Sequence, residues 1–244
     1  MTERVIVTKL LPIVPLAVIA AGCGSTLHGV AGARHCKPAQ EPLRSVAAVV
    51  TRPAAAYREP GGRVVARFGL ENVNHVPTVF GVVGRRINAR CRATWLHVQL
   101  PIRPNGATGW VRADHVQTAR IRARIVVDLS EKRVRFYKGG RLVLSTRAAI
   151  GSPATPTPVG RYYVNQRLIP TDPSGPFGPG AIGISAFSPV LTGWAQGGPI
   201  AIHGTNAPWS IGHAVSNGCI RIPNDALRRV FRQTPAGTPV LIRQ

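Results

Sequence analysis

The residue types needed for nucleophilic catalysis stand close together in the C-terminal part of the sequence. His203 directly follows the apolar run 200–202, and Cys219 follows a Ser-Asn-Gly triplet. A neighbouring imidazole makes a thiol nucleophilic because it accepts the thiol proton. Loops at the ends of strands are common places for reactive groups held by a rigid sheet. We therefore predict that His203 and Cys219 form a Cys–His pair that catalyses acyl transfer.

The turn before Cys219 is suited to stabilise a tetrahedral intermediate. Glycine tolerates positive φ, so Gly218 permits a tight turn whose backbone N–H groups point at one spot. Arg221 can hold a substrate carboxylate or lock the turn by donating to carbonyls. The sequence leaves open which third group orients the imidazole. Asp225 is near in sequence but belongs to a helix start, and a backbone carbonyl is the other group able to orient the imidazole.

Three separated motifs resemble the L,D-transpeptidase family with the YkuD-type catalytic domain. They are His-Gly-Thr-Asn at 203–206, Ser-Asn-Gly-Cys-Ile-Arg at 216–221, and a segment at 151–160 that is similar to the family's upstream Thr-Pro-x-Gly. The resemblance covers residues 122–243 and implies a mainly β catalytic fold. It also implies attack on the L,D amide between residues three and four of a peptidoglycan stem. These enzymes release D-Ala, form a thioester and pass the acyl group to an acceptor amine.

The resemblance implies a role for each matching residue. Cys219 would be the nucleophile and His203 the base, and the carbonyl of Gly204 would orient the imidazole. The amides of Gly218 and Cys219 would line the oxyanion site. Arg221 would hold the loop or a carboxylate of the stem.

One position departs from the family pattern. The family commonly has Ser-His-Gly-Cys, whereas this chain has Asn217 in the second place. We interpret Asn217 as a polar variant that fixes the turn, and we place it with Ser216 and Arg221 among the substrate-binding residues. His213 is the alternative group for the role of the absent histidine.

Other chemistries fit the sequence less well. His203, His213 and Cys219 are zinc-ligand types, but their spacing is not a familiar zinc pattern, so we expect no metal and no other cofactor. The sequence after Ser185 lacks the closing glycine of a nucleophile elbow, which disfavours a serine triad.

The composition narrows the function classes further. The chain of 244 residues carries a formal net charge of +22. Beyond residue 131 the only carboxylates are Asp172 and Asp225, which disfavours a glycosidase with two facing carboxylates. No HExxH motif of a zinc peptidase occurs. The arginines are spread over the whole chain without a basic helix, so we predict anionic cell-wall polymers, and not nucleic acid, as partners.

The first thirty residues predict export. A basic start at 1–9 is followed by an apolar stretch at 10–21 and by small residues before Cys23. Such a stretch is too short to span a bilayer as a helix. This N-terminus resembles a bacterial lipoprotein signal, which implies a signal peptide at 1–22, lipidation of Cys23 and a membrane-anchored protein facing the cell wall. Cleavage near 31–33, with loss of Cys23, is the alternative.

Export changes what the four cysteines imply. If Cys23 is lipidated, an odd number of thiols remains, and an odd thiol in an exported protein is a candidate reactive group. Cys36 and Cys91 can pair across a long loop, although the sequence does not establish this pairing. Cys219 would then be the thiol that is kept free.

Between a short linker at 23–42 and the catalytic part, residues 43–119 form a predicted small β barrel. Apolar runs separated by turn residues indicate strands at 46–50, 64–68, 79–83, 95–100 and 110–111. The motifs around Trp95 and Trp110 resemble a bacterial SH3-type module, a kind of domain that often docks on cell-wall peptides. The other interpretation is that both tryptophans belong to the barrel core.

Residues 120–244 are predicted to form the catalytic domain, which is mainly β. Apolar runs indicate strands at 121–129, 134–137, 142–145, 161–164, 200–202 and 240–242. The Gly- and Pro-rich stretch 170–199 is predicted to be irregular, and such stretches are usually functional or mobile. One short C-terminal helix follows, which Asn224 can cap.

Two functions from different classes therefore remain. The first is an exported cysteine transpeptidase that acts on peptidoglycan, and the second is a non-catalytic wall-binding protein with a degenerate catalytic domain. The presence of both His203 and Cys219 favours the enzyme. Within the enzyme class, water in place of the amine would give an L,D-carboxypeptidase.

Overall fold

The computed structural model describes residues 5–6, 36 and 45–244. The predicted lipidation of Cys23 lies outside these residues. So do the predicted signal peptide and linker, apart from the short strand β1 (Val5–Ile6) and Cys36. Strands dominate the described chain, and a single α-helix lies near its C-terminus. The prediction of a mainly β protein with one short helix is therefore confirmed.

The N-terminal unit is an antiparallel sheet of seven strands within the described residues. They are β2 (Val46–Val50), β3 (Ala54–Tyr57), β4 (Val64–Phe68), β5 (Val79–Ile87), β6 (Ala93–Gln99), β7 (Thr108–Arg112) and β8 (Val116–Arg120). Their order across the sheet is β4-β3-β7-β6-β5-β2-β8. Alternate residues on one face pack around Phe80 and Leu100 as a core of its own. The likeness of this sheet to an SH3-type barrel stays a prediction.

Both tryptophans of this unit lie outside its core, so their interpretation as core residues is wrong. Trp95 and Trp110 are half-buried on the opposite face. The Tyr57 ring meets Trp95 edge-on with centroids 5.4 Å apart, and His97 stacks on Trp110 at 4.8 Å. The guanidinium of Arg86 lies 5.4 Å above the Trp110 ring. We call the rings of Tyr57, Trp95, His97 and Trp110 the aromatic strip.

The C-terminal unit is built on a second, longer sheet. Its elements along the chain are β9 (Ala123–Asp128), β10 (Arg133–Lys138), β11 (Arg141–Arg147), β12 (Ile150–Gly151), β13 (Gly160–Pro170), β14 (Ala181–Phe187), β15 (Pro199–His203), β16 (Ala214–Ser216), β17 (Ile220–Arg221), α1 (Asn224–Gln233) and β18 (Pro239–Arg243). The sheet order is β11-β10-β9-β18-β13-β14-β15-β17, and β1 also pairs with β13. The short strands β12 and β16 pair separately and in parallel.

The two faces of this sheet differ in character near its β17 edge. Ile182, Ile202 and Ile220 lie in register across β14, β15 and β17 and belong to the hydrophobic core. Because successive side chains in a strand point to opposite faces, the residues between them face away from that core. His203 and Ala201 are such residues, so the face opposite the core is the one that can present reactive groups.

The stretch 170–199 contains a buried strand, so the prediction that it is irregular is wrong in part. All residues of β14 are buried except Phe187 at its end. Gly183 and Ser185 interrupt its apolar run, and the surrounding glycines and prolines conceal the strand pattern in the sequence.

The predicted helix begins at Asn224, but Asn224 does not cap it. Pro223 occupies the capping position without a side-chain hydrogen bond, and the Asn224 side chain bonds instead to the backbone of Thr205. Leu227 and Val230 are buried in the core, with Phe231 packed against it. None of the described helices has the length and apolar character needed to cross a membrane.

Polar contacts hold the two units together. Arg103 donates from Nη2 to the carbonyls of Ser188 and Gly197, at 2.7 and 2.6 Å. Asn105 exchanges two hydrogen bonds with the backbone of Phe187, both 2.8 Å long.

The structure contains the Cys36–Cys91 disulfide, the pairing that the sequence left open, and Cys219 is a free thiol.

Candidate active site

The strand register brings His203 and Cys219 to the same face of the sheet. In the parallel pair of β15 and β17, Ile202 lies opposite Ile220 and His203 lies opposite Arg221. Cys219 is therefore opposite Ala201, two residues before His203 on its neighbouring strand. Residues two apart in a strand point the same way, so the thiol and the imidazole are diagonal neighbours on one surface.

The thiol of Cys219 lies against the backbone of β15. The amide of Ala201 donates to Sγ at 3.4 Å, and the S–H faces the carbonyl of Pro199 at 3.9 Å. Burial raises the pKa of the Cys219 thiol, while the Ala201 amide and the charge of Arg221 act in the opposite direction. The thiol is consequently protonated at neutral pH in the absence of substrate.

The imidazole of His203 is buried, with 4% of its surface exposed. Its Nδ1 is 2.6 Å from the carbonyl of Gly204, the contact that the family resemblance implied. Phe177 meets the ring edge-on, with centroids 5.0 Å apart. Burial lowers the pKa of His203 to about 4, the Gly204 carbonyl opposes this shift, and the Arg221 charge adds to it. Nδ1–H therefore donates to Gly204, and Nε2 is left as the basic atom.

The turn before Cys219 is closed by Ser216. This residue has 1% of its surface exposed, its hydroxyl donates to the carbonyl of Cys219 at 2.6 Å, and it accepts from the Gly218 amide at 3.1 Å. Ser216 is therefore buried and bonded within the turn, whereas Asn217, also predicted to bind substrate, is exposed. The amide of Gly218, one of the two predicted oxyanion donors, is likewise bonded within the turn, and the oxyanion role of the Cys219 amide stays a prediction.

Two threonines that the sequence analysis did not single out support this turn from below. Thr157 donates to the carbonyl of Gly218 at 2.8 Å and accepts from the amide of Gly151 at the same distance. Thr155 donates to the carbonyl of Ser216 at 2.9 Å. Both lie in the Thr-Pro segment, whose resemblance to a family motif was the signal that could have pointed to them.

Asn224 fixes the backbone that follows His203. Its Oδ1 accepts from the Thr205 amide at 2.8 Å, and its Nδ2 donates to the Thr205 carbonyl at 3.0 Å. A side chain on Gly204 would come within 2.3 Å of Asn224 Oδ1, so only glycine fits beside it. The helix start thus holds in place the carbonyl that orients the imidazole.

The two remaining candidates, His213 and Asp225, are exposed, in contrast to the buried His203. Among residues 45–244, no three His, Cys, Asp or Glu side chains are grouped in a way that could hold a metal ion.

Comparison with known proteins agrees with this geometry. Residues 122–242 match the family model of the YkuD L,D-transpeptidase catalytic domain. The chain contains a YkuD-type L,D-transpeptidase domain. The prediction of this domain from its three motifs is therefore confirmed, and its bounds agree closely with the span of the resemblance.

Relatives of the transpeptidase domain occur in several bacteria. A protein named putative L,D-transpeptidase YkuD from Bacillus licheniformis is 39% identical over 119 residues, covering 49% of this chain and 64% of the relative. Its namesake from Bacillus subtilis is 35% identical over 120 residues, covering 49% and 65%. The chain thus spans less than two thirds of these curated relatives. A solved L,D-transpeptidase from Mycobacterium smegmatis aligns at 18% identity with a TM-score of 0.39, covering 62% of this chain and 78% of that one.

Proposed function

We propose that the chain is an exported peptidoglycan L,D-transpeptidase. The placement of Cys219 and His203 on one face of neighbouring strands carries the proposal. The donor would be a tetrapeptide stem that loses its terminal D-Ala, and the product would be a 3-3 cross-link to the amine of a second stem.

The reaction begins with two neutral partners. His203 Nε2 takes the proton of Cys219 as Sγ attacks the carbonyl carbon of stem residue three. The Cys219 amide donates to the oxyanion that develops. Collapse of this intermediate breaks the L,D amide, and the imidazolium returns its proton to the departing D-Ala amine. A thioester between the stem and Cys219 results.

The second half of the reaction repeats these roles. The acceptor amine attacks the thioester carbonyl, His203 takes a proton from that amine, and the thiolate leaves and is reprotonated. A new amide joins the two stems. Arg221, opposite His203 on β17, supplies the positive charge that attracts a stem carboxylate to this face.

A carbapenem tests the proposal because it resembles an acyl donor of this family. Intact-mass measurement after incubation should show one covalent adduct per chain. Incubation with tetrapeptide stems should then release D-Ala and form a cross-linked dimer. Release of D-Ala with hydrolysis alone would indicate the L,D-carboxypeptidase, and absence of any adduct would contradict a reactive Cys219.

Two observations support export and wall contact. The Cys36–Cys91 disulfide suits an oxidising compartment, and a net charge of +22 suits an anionic envelope. Anchoring through Cys23 and the domain division at residues 119–120 are parts of the same proposal. Mass spectrometry that finds the mature chain without a lipid on its N-terminus, in a form not bound to membranes, would contradict the anchor.

The aromatic strip is the surface of the N-terminal unit that we propose docks on the cell wall. Half-buried rings with a neighbouring guanidinium suit amphipathic wall peptides. The Trp110→Ala variant of the full chain should be retained on purified cell wall at least fivefold less than wild type, while its carbapenem adduct still forms. Equal retention of the two proteins would contradict this surface.

A further inference from the structure

Four residues lie in one row across the active-site face of the sheet. Gln166 on β13 is opposite Gly183 on β14, and Gly183 is opposite Ala201 on β15. Cys219 continues the row, because its successor Ile220 is opposite Ile202. Directly opposite residues point to the same face, so the row runs from Gln166 to the thiol. At about 4.8 Å per strand, it spans about 14 Å.

The middle of this row has no bulk. Gly183 has no side chain and Ala201 only a methyl group. Gly183 is buried, and the side chain of Gln166 lies over it, because a Cβ on Gly183 would come within 2.6 Å of Gln166 Cγ. Glycine at position 183 is therefore needed for the glutamine to lie across its strand.

A hydrogen-bond donor and an acceptor lie close together beside Gly183, and both belong to residues that line a cavity. The point that a Gly183 Cβ would occupy is 3.0 Å from Gln166 Nε2 and 3.1 Å from Asn165 Oδ1. The Asn165 oxygen is buried and has no hydrogen-bond partner in the described structure. A buried polar atom without a partner is costly unless a ligand satisfies it. One amide group supplies the needed pair, since its carbonyl accepts from Gln166 and its N–H donates to Asn165.

The N-terminal unit orients the glutamine. Asn72 and Asn74 both donate from Nδ2 to Gln166 Oε1, at 3.0 and 2.8 Å. Two donors on this oxygen fix the amide, so Nε2 is directed away from them. Asn74 is itself held by Gln196 through bonds of 3.0 and 3.3 Å. The unit outside the transpeptidase domain thus determines which group Gln166 presents.

A cavity of about 390 Å³ lies between the two units at this place. Asn165, Gln166 and Pro199 line it from the transpeptidase domain, and Asn72 and Asn74 line it from the other side. Pro199 also provides the carbonyl that faces Cys219 Sγ. The cavity and the thiol therefore share a wall.

We propose that Gln166 and Asn165 form a substrate subsite that binds an amide of the donor stem distant from the scissile bond. The inference rests on the proposed function. Gly183 is two strands, or about 10 Å, from Cys219, and an extended peptide rises about 3.4 Å per residue, so this distance corresponds to about three residues. With the carbonyl of stem residue three at Cys219, the amide that reaches Gln166 and Asn165 is the one at the N-terminal end of the stem, next to the glycan. The subsite selects donors that are long enough to reach it.

The Gln166→Leu variant tests the subsite, because leucine keeps the bulk but removes both polar atoms. The KM for an N-acetylated tetrapeptide donor should rise at least fivefold, with kcat unchanged within twofold. The rate of carbapenem acylation should stay at the wild-type value, because a carbapenem is too short to reach Gln166. Gln117→Leu, on the exposed part of β8, is the matched control and should leave all three quantities unchanged.

A second variant separates binding from packing. Asn72→Ala together with Asn74→Ala leaves Gln166 in place but removes the bonds that orient it, and the KM for the same donor should again rise. An unchanged KM in Gln166→Leu, in an enzyme that forms the adduct and the cross-link, would overturn the subsite. A loss of carbapenem acylation in Gln166→Leu would also overturn it, since that result assigns the residue to packing. Absence of the adduct in the wild type would instead contradict the proposed function.

Discussion

Cys219→Ser is expected to lower the rate of cross-link formation by at least about 1,000-fold. The serine hydroxyl is a far weaker acid than the thiol, and His203, with a pKa of about 4, is too weak a base to take its proton. The carbapenem adduct should also disappear from the intact-mass spectrum. Measurement of dimer formation by chromatography and of the adduct by mass gives two independent readouts.

The control for this variant removes the other described cysteines. The double variant Cys36→Ser and Cys91→Ser lacks the disulfide but keeps the free thiol, so its adduct should persist. An adduct that survives in Cys219→Ser but is lost in the double variant would place the nucleophile elsewhere. The fold of Cys219→Ser should match the wild type by circular dichroism, because the exchange changes one atom.

His203→Gln is expected to reduce the rate of cross-link formation by about 100- to 10,000-fold, the range typical of a lost general base.

The pH dependence of the wild-type acylation rate gives a second prediction for this base. Because burial lowers the pKa of His203 to about 4, the imidazole stays neutral and basic at all pH values above that. The rate of acylation should therefore remain high at pH 5.5 and fall only as the pH approaches 4.

His213→Gln is the matched control for the base. The side chain of His213 is exposed, and the variant should keep both the rate and the pH profile of the wild type. A fall of the wild-type rate with an inflection near 6.5, the ordinary value for histidine, would show that a solvent-exposed imidazole is the base. Loss of activity in His213→Gln alone would assign that role to His213.

Residue type and spacing were enough to predict where the candidate pair stands in the fold. His203 lies at a strand end and Cys219 after a glycine turn, as the sequence indicated, and the Gly204 carbonyl lies beside the imidazole, as the family resemblance implied. These features are local, because each depends on a few consecutive residues. The strand boundaries were also predicted where apolar runs are plain, as at β2 and β4.

Features that depend on register could not be predicted. Gln166 faces the active-site surface only because the pairing of β13 and β14 shifts between Val164 and Gln166. A register shift by one residue moves a side chain to the other face of the sheet, and no pattern in the sequence predicted this shift. The strand β8 was missed for a different reason, since Val116 is its only buried residue and the rest of its sequence is polar.

The contacts of Asn224 show the same limit. Its position before an amphipathic helix is typical of a capping residue, yet both polar atoms of its side chain bind Thr205, 19 residues earlier in the chain. Local propensity indicates which hydrogen bonds a side chain is able to form, and tertiary contacts determine which of them it forms.

The protonated state of Cys219 before substrate arrives has a consequence for the durability of the enzyme. Peroxide and alkylating reagents react with sulfur mainly in its ionised form, and burial keeps that form scarce. In the exported protein that we propose, the thiol would thus be spared irreversible oxidation during idle periods. Its sulfur would become nucleophilic only as His203 takes its proton in the attack on a bound acyl donor.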